Sequence, residues 1–342
     1  MENKTGEISI IWKDDRANAI SVPISSLAEL PIDSLRNLFE VRLETRNTSS
    51  ILGEQNIVGN KLIFEPVIPF SRGLTYQIIF RNMQIAKIKI PPADTNNLPA
   101  LIKIYPTRYE LPENLIKVYL EFSHPMREGE SQKYITLLSN QKDTIADVFL
   151  NLQPELWNEQ RTILTVWLDP GRIKRDLIPN EQMGNPLKKG ELYTLSVSSK
   201  WQDTRGLPLA QSYARQFSVI SRDSISPDPK RWILDLPGAG TTHPLVINMD
   251  ESLDYFLLQE TIRVVDENKK SIPGSFSISA EESKLIFIPI NPWSVGGHAL
   301  QVASYLEDLA GNNLNRVFDR DITTTPSMPD ERNYERPFVI KR

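Results

Sequence analysis

Cysteine is absent from the 342 residues, which removes disulfides, thiolate nucleophiles and cysteine-bound zinc or iron–sulfur centres in one step. Histidine is scarce: His124, His243 and His298 are the only three, and no pair has the spacing of a metal-binding helix. A phosphate-binding glycine loop, a Gly-x-Ser-x-Gly nucleophile elbow and a Gly-x-Gly-x-x-Gly dinucleotide turn are missing as well. Charge of one sign is not in excess. The 39 basic and 43 acidic residues leave a formal charge of -4, so there is no electrostatic footprint for nucleic acid. No apolar run reaches the roughly 18 residues of a membrane-spanning helix. The opening MENKTGEIS lacks the charged-then-apolar pattern of a leader, which fits a cytoplasmic protein or an exported one whose leader has been removed.

What the chain does contain is short period-two alternation punctuated by 25 prolines. At about 150 residues per domain the length predicts two or three domains, and small sandwiches of roughly 100 residues would give three. Ile8, Ile10 and Trp12 open the series, followed by Phe39, Val41 and Leu43, then Leu62 and Phe64, then Tyr76, Ile78 and Phe80. Residues 25–38, broken by Pro31, read as a loop with a short helix. Pro91-Pro92 closes this first module at residue 92 and starts a stiff linker. A second module, 93–223, carries LIKIY, LIKVYLEF, YITLL, TILTVWL, YTLSV and QFSVI. A third, 224–326, carries PLVINM, TIRVV, SFSIS, KLIFI, HALQV and a last strand near 317–322, and 327–342 is left as a tail, mobile or docked by Phe338 and Ile340.

The modules echo one another. Leu62, Phe64, Pro66, Pro69, Phe70, Gly73 and Tyr76 correspond to Leu285, Phe287, Pro289, Pro292, Trp293, Gly296 and His298. Leu164, Val166, Leu168 and Pro170 keep the same outline, which resumes at Gly190 with Tyr193, Leu195 and Val197 after a long insertion. Alternating apolar residues bury against a facing sheet, proline ends the ladder, and glycine permits the reversal. Polar turns follow at Asp203 to Gly206 and at Asp308 to Asn312.

With FSHPM at residues 122–126, LIFIP, PW and DLAGN in place, the chain resembles the bacterial immunoglobulin-like domains of surface-layer and other cell-envelope proteins. The likeness is clearest over residues 244–312 and good in the second module. The first module departs from it, lacking both the FSHPM element and the Asp-x-x-Gly turn. It implies an all-β protein of three tandem immunoglobulin-like antiparallel β-sandwich domains, exported to the periplasm, cell surface or medium. A lipid anchor upstream of Met1 would suit such a protein, as would a monomeric state or a place in a larger envelope assembly. The implied role is non-enzymatic, with no catalytic residue, metal or cofactor: a spacer, scaffold or adhesion protein whose partner is another protein or a surface polysaccharide. Carbohydrate binding on a loop face of the second or third module is the alternative.

Candidate binding residues sit where the repeat is broken, in the insertion at 169–190, because a long loop in a compact domain is a usual place for function. Arg172, Lys174, Arg175, Lys188 and Lys189 make it basic, suited to an acidic partner or anionic glycan, or else are solvated and paired with Asp176 and Glu181. Trp157 and Trp201 are the tryptophans least tied to the repeat, and hence candidates for stacking on a sugar. The acidic groups Asp250, Glu251 and Asp254, Glu281 and Glu282, and Glu307 and Asp308 would need to converge to hold calcium; Asp308 more simply caps its own turn. The repeat positions of the histidines argue for structural use.

Overall fold

The computed structural model describes residues 8–13, 16–27, 38–45, 49–92, 94–140, 143–175, 177–320 and 331–342. The chain separates into two compact units, one of Met1–Pro99 with Gln202–Ala210 and the other of Ala100–Trp201 with Gln211–Arg342.

In the first unit the strands are β1 (Ser9–Lys13), β2 (Arg16–Pro23), β3 (Phe39–Leu43), β4 (Gly53–Val58), β5 (Lys61–Pro66), β6 (Thr75–Phe80) and β7 (Met83–Lys89). They form one sheet in the order β1-β2-β5-β4 and another in the order β3-β6-β7. Lettered A to G along the chain, these are A-B-E-D and C-F-G, the two sheets of a constant-type immunoglobulin sandwich. Alternation decides which face goes inside: Leu62 and Phe64 of β5 are buried while Lys61 and Glu65 face water. Ile20, Val22, Phe39, Val41, Leu62, Phe64, Ile78 and Phe80 fill the space between the sheets, each contributing on the order of 1.5–3 kcal/mol through burial. The loop expected at residues 25–38 begins with a single 3-10 turn, Ile24–Ser26, and most of it lies outside the described residues.

The second unit holds the same grammar twice. Its first set is β8 (Leu101–Tyr105), β9 (Glu110–Pro112), β10 (Lys117–Phe122), β11 (Ile135–Ser139), β12 (Asp143–Thr144), β13 (Leu156–Trp157), β14 (Ile163–Trp167), β15 (Leu192–Val197) and β16 (Tyr213–Ile220). The sheets run β13-β14-β10-β8 and β12-β11-β15-β16-β9, with β9 joined parallel to β16. The next set is β17 (Ile233–Asp235), β18 (Leu245–Asn248), β19 (Ile262–Asp266), β20 (Gly274–Ser279), β21 (Lys284–Pro289), β22 (Gly296–Ala303) and β23 (Asn333–Ile340), ordered β17-β18-β21-β20 and β19-β22-β23. The last set repeats A-B-E-D and C-F-G strand for strand, and the set before it keeps the same order while adding β12 and β9 at the two edges of its second sheet.

Two local devices recur with the strand order. The Tyr76 hydroxyl accepts the Ser71 N–H at 2.8 Å and the Tyr193 hydroxyl accepts the Lys188 N–H at 2.9 Å, each five residues back, the tyrosine corner of immunoglobulin sandwiches. His298 takes that place in the last set, held by Ser294 and the Gly296 carbonyl. Gly53 and Gly274 lie under aromatic rings: a Cβ on Gly274 would stand 2.4 Å from the Phe287 ring, and one on Gly53 2.8 Å from the Phe64 ring. Glycine is required there for close approach, not for its backbone freedom.

Of the two states expected for the C-terminal segment, mobile or docked by Phe338 and Ile340, the described residues show the docked one, formed as a strand rather than a tail. Residues 333–340 form β23, paired with β22 over its full length, with Phe338 and Ile340 buried. Residues 317–320, where the last strand was expected, form none, and 321–330 lie outside the described residues. The prolines and charges around NYERPFVI masked a period-two pattern of Tyr334, Phe338 and Ile340 on a strand whose outer face is wet.

Candidate functional site

The insertion at 169–190 is not irregular throughout. Asp169 accepts the Gly171 N–H at 2.8 Å and Pro170 starts a short helix, α1 (Pro170–Ile173); a second, α2 (Ile178–Met183), follows with Pro179 in its first turn. Arg172 is buried, and its guanidinium donates to the carbonyls of Ala146, Asp147 and Gly184. The Lys174 ammonium sits 4.2 Å from the centre of the Phe318 ring, and Arg175 pairs with Asp319 at 3.1 Å. Arg222, in the connection to the last set of strands, joins Asp319 at 2.8 Å and the Ile173 carbonyl at 2.6 Å. Lys188 and Lys189 remain exposed, while Asp176 lies outside the described residues. Three of the five cations thus bind within the unit, two of them to Phe318 and Asp319 of the last set.

The two tryptophans meet each other. Trp201 is completely buried, stacked on Tyr134, edge-on to Phe122 and Trp157, with its indole N–H on the Arg127 carbonyl at 3.2 Å. Trp157 is half-buried and donates to Glu155 at 2.8 Å. Glu155 also accepts the N–H groups of Gly129 and Ser131 at 2.8 and 2.7 Å. Burial works against its ionisation, but these donors outweigh it and hold the carboxyl below its usual range. Glu155→Gln, which turns an amide against three N–H donors, is expected to cost about 1–2 kcal/mol at neutral pH, partial solvent access keeping the figure low. Because the native carboxyl titrates lower than the unfolded one, its contribution is present at neutral pH and fades as pH falls through the native value. Urea unfolding of variant and parent should converge in acid; a constant gap from pH 7 to pH 3 would refute the assignment.

The densest polar structure lies where the two sets of strands in the second unit meet. Lys117, at the start of β10, is buried with side-chain exposure of 9% and forms ion pairs with Asp254 at 2.9 Å and Glu307 at 2.7 Å. Burial disfavours its charge, yet the two carboxylates prevail and its pKa is raised. Asp254 also accepts the Tyr119 hydroxyl at 2.6 Å and caps helix α3 (Tyr255–Thr261) through the N–H groups of Phe256 and Leu257. The helix start lays aromatics across the boundary: Tyr255 stacks on Tyr105 with ring centres 3.9 Å apart, and Phe256 meets Tyr119 edge-on. Glu282 accepts the N–H and hydroxyl of Thr107. The Ile116 N–H donates to the Leu309 carbonyl at 3.1 Å, and a Cβ on Gly311, whose φ is +78°, would press on Ile116 at 3.2 Å. The connection is pinned too, since Asn114 bonds both the N–H and the carbonyl of Asp223.

Beside this network three more carboxylates converge. Asp223, Glu251 and Asp308 each place an oxygen within 4.8 Å of the others. Asp308 caps its turn by accepting from the N–H groups of Ala310 and Asn312, and Asp223 accepts the Ile225 N–H. Burial and neighbouring like charges push Glu251 up to about 8 and Asp308 to about 7. Asp223 and Glu251 line a cavity of about 370 Å³ with Arg222 and Ser252. Sequence reading named Glu251 and Asp308 in two separate acidic clusters and read Asp308 as a turn cap, and did not single out Asp223. It had no signal for their convergence, because the three come from segments up to 85 positions apart in the chain.

Among the described residues no helix is long and apolar enough to cross a membrane. No family model matches the chain, and no curated protein matches it. Solved structures similar to it include titin Ig tandem domains (8% identity, 68% of this chain and 90% of that chain, TM-score 0.21). Extracellular domains 3–5 of Drosophila OTK match at 11% identity, 84% and 88% coverage and TM-score 0.19. Native alpha-2-macroglobulin from Escherichia coli, spanning domains MG0-NIE-MG1, matches at 11% identity, 86% and 91% coverage and TM-score 0.28. Scores this low carry no argument, and the immunoglobulin-like fold rests on strand order and the tyrosine corners.

Proposed function

We propose that this chain is a non-enzymatic scaffold or interaction protein, exported from a bacterial cell, that uses its sandwiches to hold a protein partner at a defined geometry. The observation that carries the reading is the junction in the second unit, where Lys117, Asp254, Glu307, Tyr119 and Glu282 are committed to fixing one sandwich-like set of strands against the next. Buried ionic groups contribute specificity of arrangement more readily than net stability, which is what a spacer requires. Three modules, at about 1–92, 93–223 and 224–342, are the proposed functional units, the last taking in β23. Lys188, Lys189 and the half-buried Trp157 are the members of the expected binding surface still open to a partner.

Fractionation of the source bacterium, with antibody against this chain, tests the reading. The protein is expected in the periplasm, on the surface or in the medium, and a pool confined to the cytoplasm overturns it. Retention on an immobilised polysaccharide that is lost in Trp157→Ala would replace the protein partner with a glycan.

A further inference from the structure

Three acidic side chains crowd together at the junction without a basic neighbour in contact. Close by, Asp254 and Glu307 share Lys117, and Asp250 pairs with Arg231 at 2.7 Å. By contrast, among the described residues Asp223, Glu251 and Asp308 form no salt bridge, and Arg222, which lines a cavity with Asp223 and Glu251, is committed to Asp319. Accumulating up to three negative charges in a partly desolvated place is costly unless something positive enters. A second observation is independent of charge. Ser252, only 4% exposed, has a hydroxyl oxygen with no hydrogen-bond partner, and the residue lines the same cavity as Asp223 and Glu251. An orphaned buried hydroxyl beside converging carboxylates is a neutral oxygen ligand in waiting.

We propose that Asp223, Glu251 and Asp308, with the Ser252 hydroxyl, bind one calcium-sized divalent cation that locks the connection between the last two sets of strands. The spacing suits a hard cation. Three carboxylate oxygens within 4.8 Å of one another are the hard oxygen donors that calcium takes at about 2.4 Å. The remaining coordination positions open on the cavity, where water completes the shell. The ligands come from different segments: Asp223 from the connection, Glu251 from the strand-to-helix turn after β18, Asp308 from the turn after β22. Binding therefore ties three segments that the unfolded chain keeps apart, so it stabilises the native state by an amount that grows with the logarithm of ion concentration above the dissociation constant.

The test uses the full chain, stripped with chelator and titrated with calcium chloride, read by calorimetry and thermal unfolding. One ion per chain is expected, with a dissociation constant in the sub-millimolar range of extracellular calcium modules, and a melting temperature that climbs with calcium. Glu251→Gln should weaken binding at least tenfold, and Ser252→Ala should weaken it by a smaller factor. Glu251→Gln removes a charge from the crowd, so without calcium it should melt no lower than the parent. That separates loss of the ligand from loss of the fold. Absence of binding up to ~10 mM, about tenfold above the weakest such modules, overturns the proposal. So does a calcium response that survives Glu251→Gln unchanged.

Discussion

Lys117→Met is expected to lower the unfolding free energy of the second unit by about 3–5 kcal/mol, the usual consequence of removing one partner from a buried ion pair. Methionine nearly matches the lysine stem in volume, so the loss does not come from a cavity. It comes from Asp254, whose carboxylate is 2% exposed and would keep only the Tyr119 hydroxyl and two helix-start N–H groups as partners. Glu307 is 24% exposed and can turn toward water, so Glu307→Gln should cost about 1 kcal/mol or less. For a unit of this size the lysine variant should melt roughly 6–20 °C lower. Chemical and thermal unfolding of both variants decide the matter. Equal small losses would mean that the charges at this boundary are solvated and that the latch is not formed.

Trp201→Ala carries a comparable expected loss, about 3–5 kcal/mol, for a different reason. The indole is wholly buried between Tyr134, Phe122 and Trp157, so truncation leaves a void that stacked rings cannot collapse to fill, and strands the Arg127 carbonyl. Trp157, half-buried at the rim of the same cluster, should lose clearly less when cut to alanine. Urea unfolding of the two variants gives the ranking, and a Trp201→Ala loss below that of Trp157→Ala would contradict the placement. With both ring faces and the edge occupied, Trp201 cannot stack on a sugar, whatever the partner of this protein proves to be.

Much of the fold was legible because period-two burial writes itself into residue order. Leu62–Phe64 and Leu285–Phe287 alternate as a sandwich core demands, and the Tyr76 and Tyr193 equivalence read from the repeat marks two hydrogen-bonded corners. The FSHPM element is part of that frame: Ser123 takes the Ala100 N–H and Met126 is fully buried. What escaped sequence reading is long-range. Strand β23 hides behind prolines and charges because only one of its faces is covered. The Leu285–Asn312 stretch reads as repeat grammar, and so it is, but its closing turn also carries Glu307, Asp308, Leu309 and Gly311 to the junction. A basic loop looks like a binding surface from sequence because nothing local reveals that Arg172 ends on carbonyls and Arg175 on Asp319. Charges that serve the interior and charges that serve a partner have the same spelling.

The position of β23 has a consequence for how the molecule is made. A ribosome delivers residues in order, so β22 is made before its neighbour 333–340. Until then the β22 edge, with Leu300 and Val302 behind it, is an open ladder of N–H and C=O groups able to pair with a foreign strand. The turn bearing Asp308 and Gly311 is synthesised inside that interval. Docking of this turn on Ile116 and closure of the sheet thus depend on different segments of the chain, and the segment that closes the sheet is made later. A chain in which β23 is not yet seated presents that edge to chaperones or to foreign strands.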